Sequence, residues 1–369
     1  MDLSRRLLLG AAAGGAALSL SKAASAAEPA APPLLGPAPG FARLGLNENP
    51  YGPAPSAIKA MTEALSTGAY YPGGGIQRLM EMIAERHGVT PDHIIVSSGS
   101  GELLNAIGLA YGMKGTLIST NLFWDAYFKF AEDKGVKTVR VPLKPDYSHD
   151  FAAMEAAITP TTSLVSVCNP NNPTGILEKA ADIHAFAKSA SAKTTVLIDE
   201  AYIELSDQPV SNSVVDLIRA GHNIAITRTF SKIYGMAGIR VGYVISTPAN
   251  IAKIRPYVMG GMNSVGLAGA VACYNDEPFL TYSRAKIVEA REMVMAAVKS
   301  AGLTALPSST NFVWVNVGMN ANIVRERMEA KKILIRGVYG THTNWSRVSM
   351  GKLPDVERYC KALPEVIRA

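Results

Sequence analysis

A chain of 369 residues, 48% apolar and 18% charged, can bury one large core and a smaller second one, and is too apolar for a disordered or low-complexity protein. Its formal charge of +6 is not gathered into a basic run and no RNA or DNA module is recognisable, so the sequence carries no nucleic-acid footprint. The three cysteines, Cys168, Cys273 and Cys360, are odd in number and far apart, and the six histidines show no metal-ligand spacing, so neither a disulfide framework nor a metal site is expected.

The first segment differs from the rest. Paired Arg5 and Arg6 precede a weakly apolar, Gly-rich run to Leu20, and Ala24-Ser25-Ala26 fits a small-residue cleavage site. The pattern resembles a twin-arginine export signal over residues 1–26, which predicts a periplasmic protein, or a cytoplasmic one where the signal is not used. The run from Leu7 to Leu20 is too short for a span, which needs about 20 apolar residues, so no stable membrane insertion is expected. Without Asp2, Arg5, Arg6 and Lys22 the net charge is +4. Residues 27–46 are rich in Pro and Ala and read as a linker and N-terminal arm, with order starting near Phe41.

Beyond the arm, turn formers at Leu46 to Gly52 lead into a helix over Ser56–Leu65, and Tyr70 to Gly75 is a second loop. Helices are then predicted over Ile76–His87, Glu102–Tyr111, Asp125–Lys134, Phe151–Ile158 and Ala180–Ala190. They alternate with strands over Ile94–Val96, Thr116–Ser119, Thr138–Val141, Leu164–Val167, Val196–Asp199 and Asn223–Thr227, and a further strand covers Val241–Ile245. This is the rhythm of an α/β fold with a mainly parallel sheet, assigned to a large domain over 47–275. Helices over Ser264–Tyr274 and Pro278–Ala301 follow. A small α+β domain over 276–369 completes the chain, with strands at Phe312–Val317, Ile333–Ile335 and Arg347–Met350 and helices at Ile323–Lys331 and Asp355–Ile367.

Chemistry collects at the ends of these strands. Ser97 to Gly101 runs into a helix start, where unpaired N–H groups and the positive helix end suit an anion. Asn169 to Gly175 forms a polar, Pro-rich loop at a strand's carboxyl end, where open α/β sheets bind ligands. Asp199 ends an apolar strand, so its carboxylate needs a cationic partner. Glu200 reads as a helix cap or surface acid. Lys232 follows Thr229 and Ser231, with Arg240 eight residues on. That set can hold a phosphorylated aldehyde as a Schiff base, the lysine as nucleophile and the hydroxyls and arginine on the phosphate. By itself the segment is equally compatible with a surface lysine between two apolar runs.

Taken together, Asn47 to Tyr51, Tyr71-Pro72, Asn169 to Gly175, Asp199 to Tyr202, Arg228 to Arg240, Ser309 to Val313 and Arg347 to Gly351 resemble the fold-type-I pyridoxal-phosphate aminotransferases. The resemblance is strongest to the histidinol-phosphate aminotransferase branch. It implies pyridoxal 5'-phosphate as cofactor, bonded to Lys232, which shuttles the substrate proton. Asp199 would pair with the ring nitrogen, and Asn172 and Tyr202 with the ring's phenolic oxygen. Ser100, Gly101, Thr229, Ser231 and Arg240 would hold the phosphate, Trp124 would stack on the ring, and Tyr71 would reach the phosphate from the neighbouring subunit of a homodimer. Arg347 would bind the substrate's anionic group, and Arg336 and Tyr51 a substrate phosphate; a solvent-exposed arginine is the other reading of Arg336. The implied reaction transfers an amino group from a small-molecule donor such as glutamate to an oxo acid or oxo phosphate. A decarboxylase or lyase on the same scaffold is the alternative.

Overall fold

The computed structural model describes residue 33 and residues 35–368, and its compact body starts at Gly40. The proposed signal at residues 1–26 lies outside the described residues. In chain order the strands are β1 (Ala42–Leu44), β2 (Ile94–Ser97), β3 (Thr116–Thr120), β4 (Thr138–Val141), β5 (Thr162–Cys168), β6 (Thr195–Asp199), β7 (Ile224–Thr229), β8 (Gly242–Ser246), β9 (Thr304–Ala305), β10 (Phe312–Asn316), β11 (Ile333–Ile335) and β12 (Trp345–Ser349). The helices are α1 (Pro55–Ala64), α2 (Gly75–His87), α3 (Ser100–Gly112), α4 (Ala126–Glu132), α5 (Phe151–Ala156), α6 (Ala180–Ser191), α7 (Val215–Arg219), α8 (Pro248–Ile254), α9 (Ser264–Cys273), α10 (Glu277–Ser300), α11 (Ala321–Ala330) and α12 (Leu353–Arg368). No helix among the described residues is long and apolar enough to cross a membrane.

Seven strands form the central sheet in the order β2-β8-β7-β6-β5-β3-β4. The pairs from β7 through to β4 are parallel, and β8 pairs antiparallel with both β7 and β2. Strands β5, β6 and β7 are buried along nearly their whole length, as parallel strands covered on both faces must be. Alternation assigns each residue to one face. Val196 and Ile198 join one apolar cluster with Ile224 and Ile226, while Leu197 and Ala225 join a second with Leu164 and Ala110.

The parallel sheet brings several loops to one edge. Ser97, Thr120, Cys168, Asp199 and Thr229 all end strands there, and Gly242 begins β8 at the same edge. Both glycines of this junction are required by close approach: a side chain on Gly242 would collide with the backbone of Gly99 and Ser100, and one on Gly99 (φ +94) with the Arg240 guanidinium. The start of α3 is thereby pressed onto the sheet beside Arg240.

Two smaller sheets complete the fold, and β12 of one carries Arg347 into the lining of a cavity at this edge. β10 pairs antiparallel with β12 and β9, and β1 pairs parallel with β11. The arm expected over 27–46 therefore contains a strand, Ala42–Leu44, because Ala42 and Leu44 are apolar and fully buried against β11. The short helices α7 and α8 are additions to the predicted elements; Thr247 caps α8 by accepting a hydrogen bond from Asn250 N–H.

Candidate active site

A cavity of about 380 Å³ opens at the carboxyl edge of the central sheet. Lys232, Arg240, Arg336 and Arg347 contribute four cations to its lining against the single carboxylate of Asp199. Of the residues expected at a site, Ser100, Gly101, Trp124, Asn172, Asp199, Tyr202, Thr229, Ser231, Lys232, Arg240, Arg336 and Arg347 all line it. Tyr71 and Tyr51 do not. Tyr71 is 97% exposed, and the Tyr51 hydroxyl accepts a hydrogen bond from Leu353 N–H at 3.0 Å while its ring meets Tyr282 edge-on.

Lys232 sits in the tight turn after β7, closed by Gly235 N–H on Lys232 O and Met236 N–H on Phe230 O, each at 3.0 Å. Its amine donates to Asn47 O at 3.0 Å and lies 5.3 Å from the centre of the Tyr202 ring. Burial, with help from the Arg347 guanidinium, pulls its pKa down from 10.5 to about 8. A substantial fraction of the amine is then neutral near physiological pH, as a nucleophile or base requires.

Asp199 is 6% exposed, and one oxygen accepts from Thr227 Oγ1 at 2.9 Å. Burial raises its pKa to about 6. The expected cationic partner is not a side chain: among the described residues no arginine, lysine or histidine forms an ion pair with it, and Lys232 acts on it only through space. A buried carboxylate that faces a cavity without a counterion fits a ligand that brings its own positive nitrogen.

Further along the cavity, Ser231 N–H donates to Thr229 Oγ1, the two hydroxyls lie 2.9 Å apart, and Arg240 donates to Ser231 Oγ at 3.3 Å. Ser100 and Gly101 are the first residues of α3, where backbone N–H groups have no partner inside the helix. Added side-chain bulk at Gly101 would meet only the Trp124 ring, at 3.9 Å. Hydroxyls, free amides, a helix start and a guanidinium together make a phosphate cradle. Amine, unpaired acid and cradle in one cavity match the three functional ends of pyridoxal 5'-phosphate, its aldehyde, ring nitrogen and phosphate.

Opposite the cradle, Arg347 is 7% exposed and donates to Asn172 Oδ1 at 2.6 Å and Gly45 O at 3.0 Å. Its Nε is buried and has no hydrogen-bond partner among the described residues. Arg336 is hydrogen-bonded to Arg347 through both backbone groups, and its guanidinium is exposed at the cavity mouth. The Tyr339 ring lies 6.0 Å from Arg336 and 5.9 Å from Arg347.

One expectation is overturned. Glu200 is neither a cap nor a surface acid: it is fully buried and takes two hydrogen bonds from Arg228, at 3.0 and 2.7 Å, and one from Ser213. Alternation along β6 sends it to the sheet face opposite Asp199, where Arg228 arrives from β7. Asn47, Cys168 and Tyr339 line the cavity without having been singled out for it. Asn47 belongs to a visible run of turn formers, but nothing local marks it as the acceptor for Lys232.

A family model described as aminotransferase class I and II matches residues 39–363. The chain is 34% identical over 331 residues to the histidinol-phosphate aminotransferase of Moorella thermoacetica, covering 88% of this chain and 85% of that one. It is also 34% identical over 332 residues to the aromatic amino acid aminotransferase of Nocardia farcinica, covering 88% and 91%. Among solved structures, the histidinol-phosphate aminotransferase of Sinorhizobium meliloti in complex with pyridoxal-5'-phosphate superimposes with a TM-score of 0.80 at 31% identity, covering 89% of this chain and 91% of that one.

Proposed function

The chain belongs to the aminotransferase class I and II family, a pyridoxal-phosphate-dependent transaminase, and we propose that its substrates are of the histidinol-phosphate or aromatic amino acid type, with glutamate as donor. The observation that carries this reading is the enclosure of Lys232, Asp199 and Arg347 by one cavity. The relatives of both substrate types, and a substrate end built from two guanidiniums beside the Tyr339 ring, support the choice of substrate.

Pyridoxal 5'-phosphate, when bound, supplies a ring that draws off the electron pair left on the substrate Cα after loss of its proton. The protein provides the rest. Asp199 keeps the ring nitrogen protonated, and in doing so gains the counterion its burial demands. Thr229, Ser231, Arg240 and the first amides of α3 anchor the phosphate. Arg347 takes the substrate's anionic group, while Asn172 and Gly45 hold the guanidinium plane. Lys232, with a pKa near 8, is suited to take the Cα proton and to return it to the carbon on the far side of the substrate nitrogen. Arg336, more exposed, suits a second anion on the substrate side chain.

Half-reactions test the assignment. Holoenzyme mixed with glutamate alone, and with histidinol phosphate or an aromatic amino acid alone, is expected to lose its visible cofactor band and to regain it on addition of the matching oxo compound. No exchange with any of these compounds overturns the proposal; release of carbon dioxide or ammonia without a new amino acid moves the protein to the decarboxylase or lyase alternative.

The proposal extends to assembly and location. A homodimer with a shared site is supported by exposed apolar residues around the Tyr71 loop, where Ile58, Leu65, Tyr70 and Tyr71 are 50%, 65%, 74% and 97% exposed. Light scattering should give twice the chain mass, and a monomeric active enzyme would refute it. Export to the periplasm rests on Arg5-Arg6 and the following Gly-rich run. Sequencing the mature N-terminus should find it near residue 27, and an intact Met1 or Asp2 counts against export.

A further inference from the structure

The Tyr202 hydroxyl stands where two amides meet. Arg347 donates to Asn172 Oδ1 at 2.6 Å. A guanidinium has only donors, so the amide oxygen of Asn172 must face it, and Asn172 Nδ2 must face Tyr202, whose oxygen is 3.4 Å away. The second amide is oriented by a longer chain. Asn47 N–H donates to Ser349 Oγ at 2.9 Å, so the serine's own proton is free for Asn47 Oδ1, 2.8 Å away. That turns Asn47 Nδ2 onto the Tyr202 oxygen at 3.1 Å.

A phenol oxygen offers two lone pairs and one proton. Both lone pairs here meet N–H donors, so the hydroxyl has only its proton left to give. Tyr202 is buried except where it lines the cavity. We propose that Asn47 and Ser349 are positioning residues that force Tyr202 to donate its proton into the cavity, onto the phenolic oxygen of the bound cofactor. The inference rests on the proposed placement of the cofactor, and it assigns a role to two residues outside the cradle and the base.

The backbone is shaped for this task. Asn47 adopts φ +55, a region open to asparagine but costly for most side chains, and it is 2% exposed. In that conformation its carbonyl faces Lys232 Nζ and Asn311 Nδ2, at 3.0 and 2.9 Å, while its amide reaches Tyr202. One residue just past the arm thus touches both the amine and the phenol, and Ser349 on β12 ties it to the strand that carries Arg347.

A donor on the phenolic oxygen favours its ionised form, so weakening that donor should raise the pH at which the bound cofactor's visible band titrates. The measurement uses holoenzyme without substrate and is independent of whether any amino group is transferred. Ser349→Ala is expected to raise the midpoint by roughly half a pH unit or more, and Tyr202→Phe to raise it further. In the Tyr202→Phe background, Ser349→Ala should add nothing, since both act through one hydroxyl. Asn47→Gly is the second variant: glycine accepts φ +55 without strain and keeps the carbonyl on Lys232, so only the amide is lost. It should shift the midpoint in the same direction, and it decides alone if Ser349→Ala yields no holoenzyme. An unchanged midpoint in these variants, or a Ser349→Ala shift that persists in full without the Tyr202 hydroxyl, overturns the proposal.

Discussion

Lys232→Ala is expected to reduce amino transfer by about 10⁴-fold, the upper end of what one positioned acid–base group contributes. No other amine in the cavity can replace it: Arg240, Arg336 and Arg347 are guanidiniums, which do not lose a proton at accessible pH. The Thr229, Ser231 and Arg240 cradle and the α3 start are untouched by the change, so the variant should still retain cofactor while losing the covalent spectral signature. Retained turnover within tenfold of wild type would remove Lys232 from the mechanism. The wild-type protein offers a matching pH signature. Its amine reacts only when neutral, and burial beside Arg347 lowers its pKa to about 8. The rate at which apoprotein captures cofactor through this lysine should rise with pH, bend near 8 and level off above it; a bend near 10.5, the ordinary lysine value, would mean that the amine is not shielded as the cavity implies.

Arg228→Met is expected to cost about 3–5 kcal/mol of stability, because it strands a fully buried Glu200 without its cation. Glu204 approaches the same guanidinium at 3.7 Å and loses it too. For a chain of this size the loss corresponds to a fall in Tm of roughly 5 °C, read by calorimetry on holoenzyme. Replacing Glu200 and Arg228 together by methionine should recover the part of the loss that belongs to the unpaired Glu200, while Glu204 remains without its cation. A single variant as stable as wild type would show that water reaches Glu200. The pair matters for function through its position: Glu200 follows Asp199 in the chain and Arg228 precedes Thr229, so melting this ion pair would loosen a cofactor contact on each strand end.

Much of this molecule is written locally. The alternation of apolar strands and amphipathic helices between residues 94 and 246 is a short-range signal, because strand and helix periods act over a few residues, and the central sheet follows it closely. Ser100, Asn172, Asp199 and Lys232 could be singled out because each sits at a junction where a strand ends in polar or small residues. Once such strands lie parallel, their ends must share one edge. The missing pieces are those whose meaning comes from a distant partner. β1 is three residues long and is a strand only because β11, far along the chain, accepts it. Glu200 looked like a surface acid because nothing near it in sequence announces Arg228 on the next strand.

The same division runs through the active site. Its chemistry, an amine, an acid and a phosphate cradle, was determined by the sequence, since those residue types at strand ends admit few other uses together. The direction of each proton and the company of each charge were decided by tertiary structure. Asp199 has no ion-pair partner among the described residues, Lys232 rests on Asn47 O, and Tyr202 is filled by two amides, and these are relations among segments as far apart as Asn47 and Ser349. Hydrogen bonds and burial depend on where chains meet, and only the folded packing fixes that.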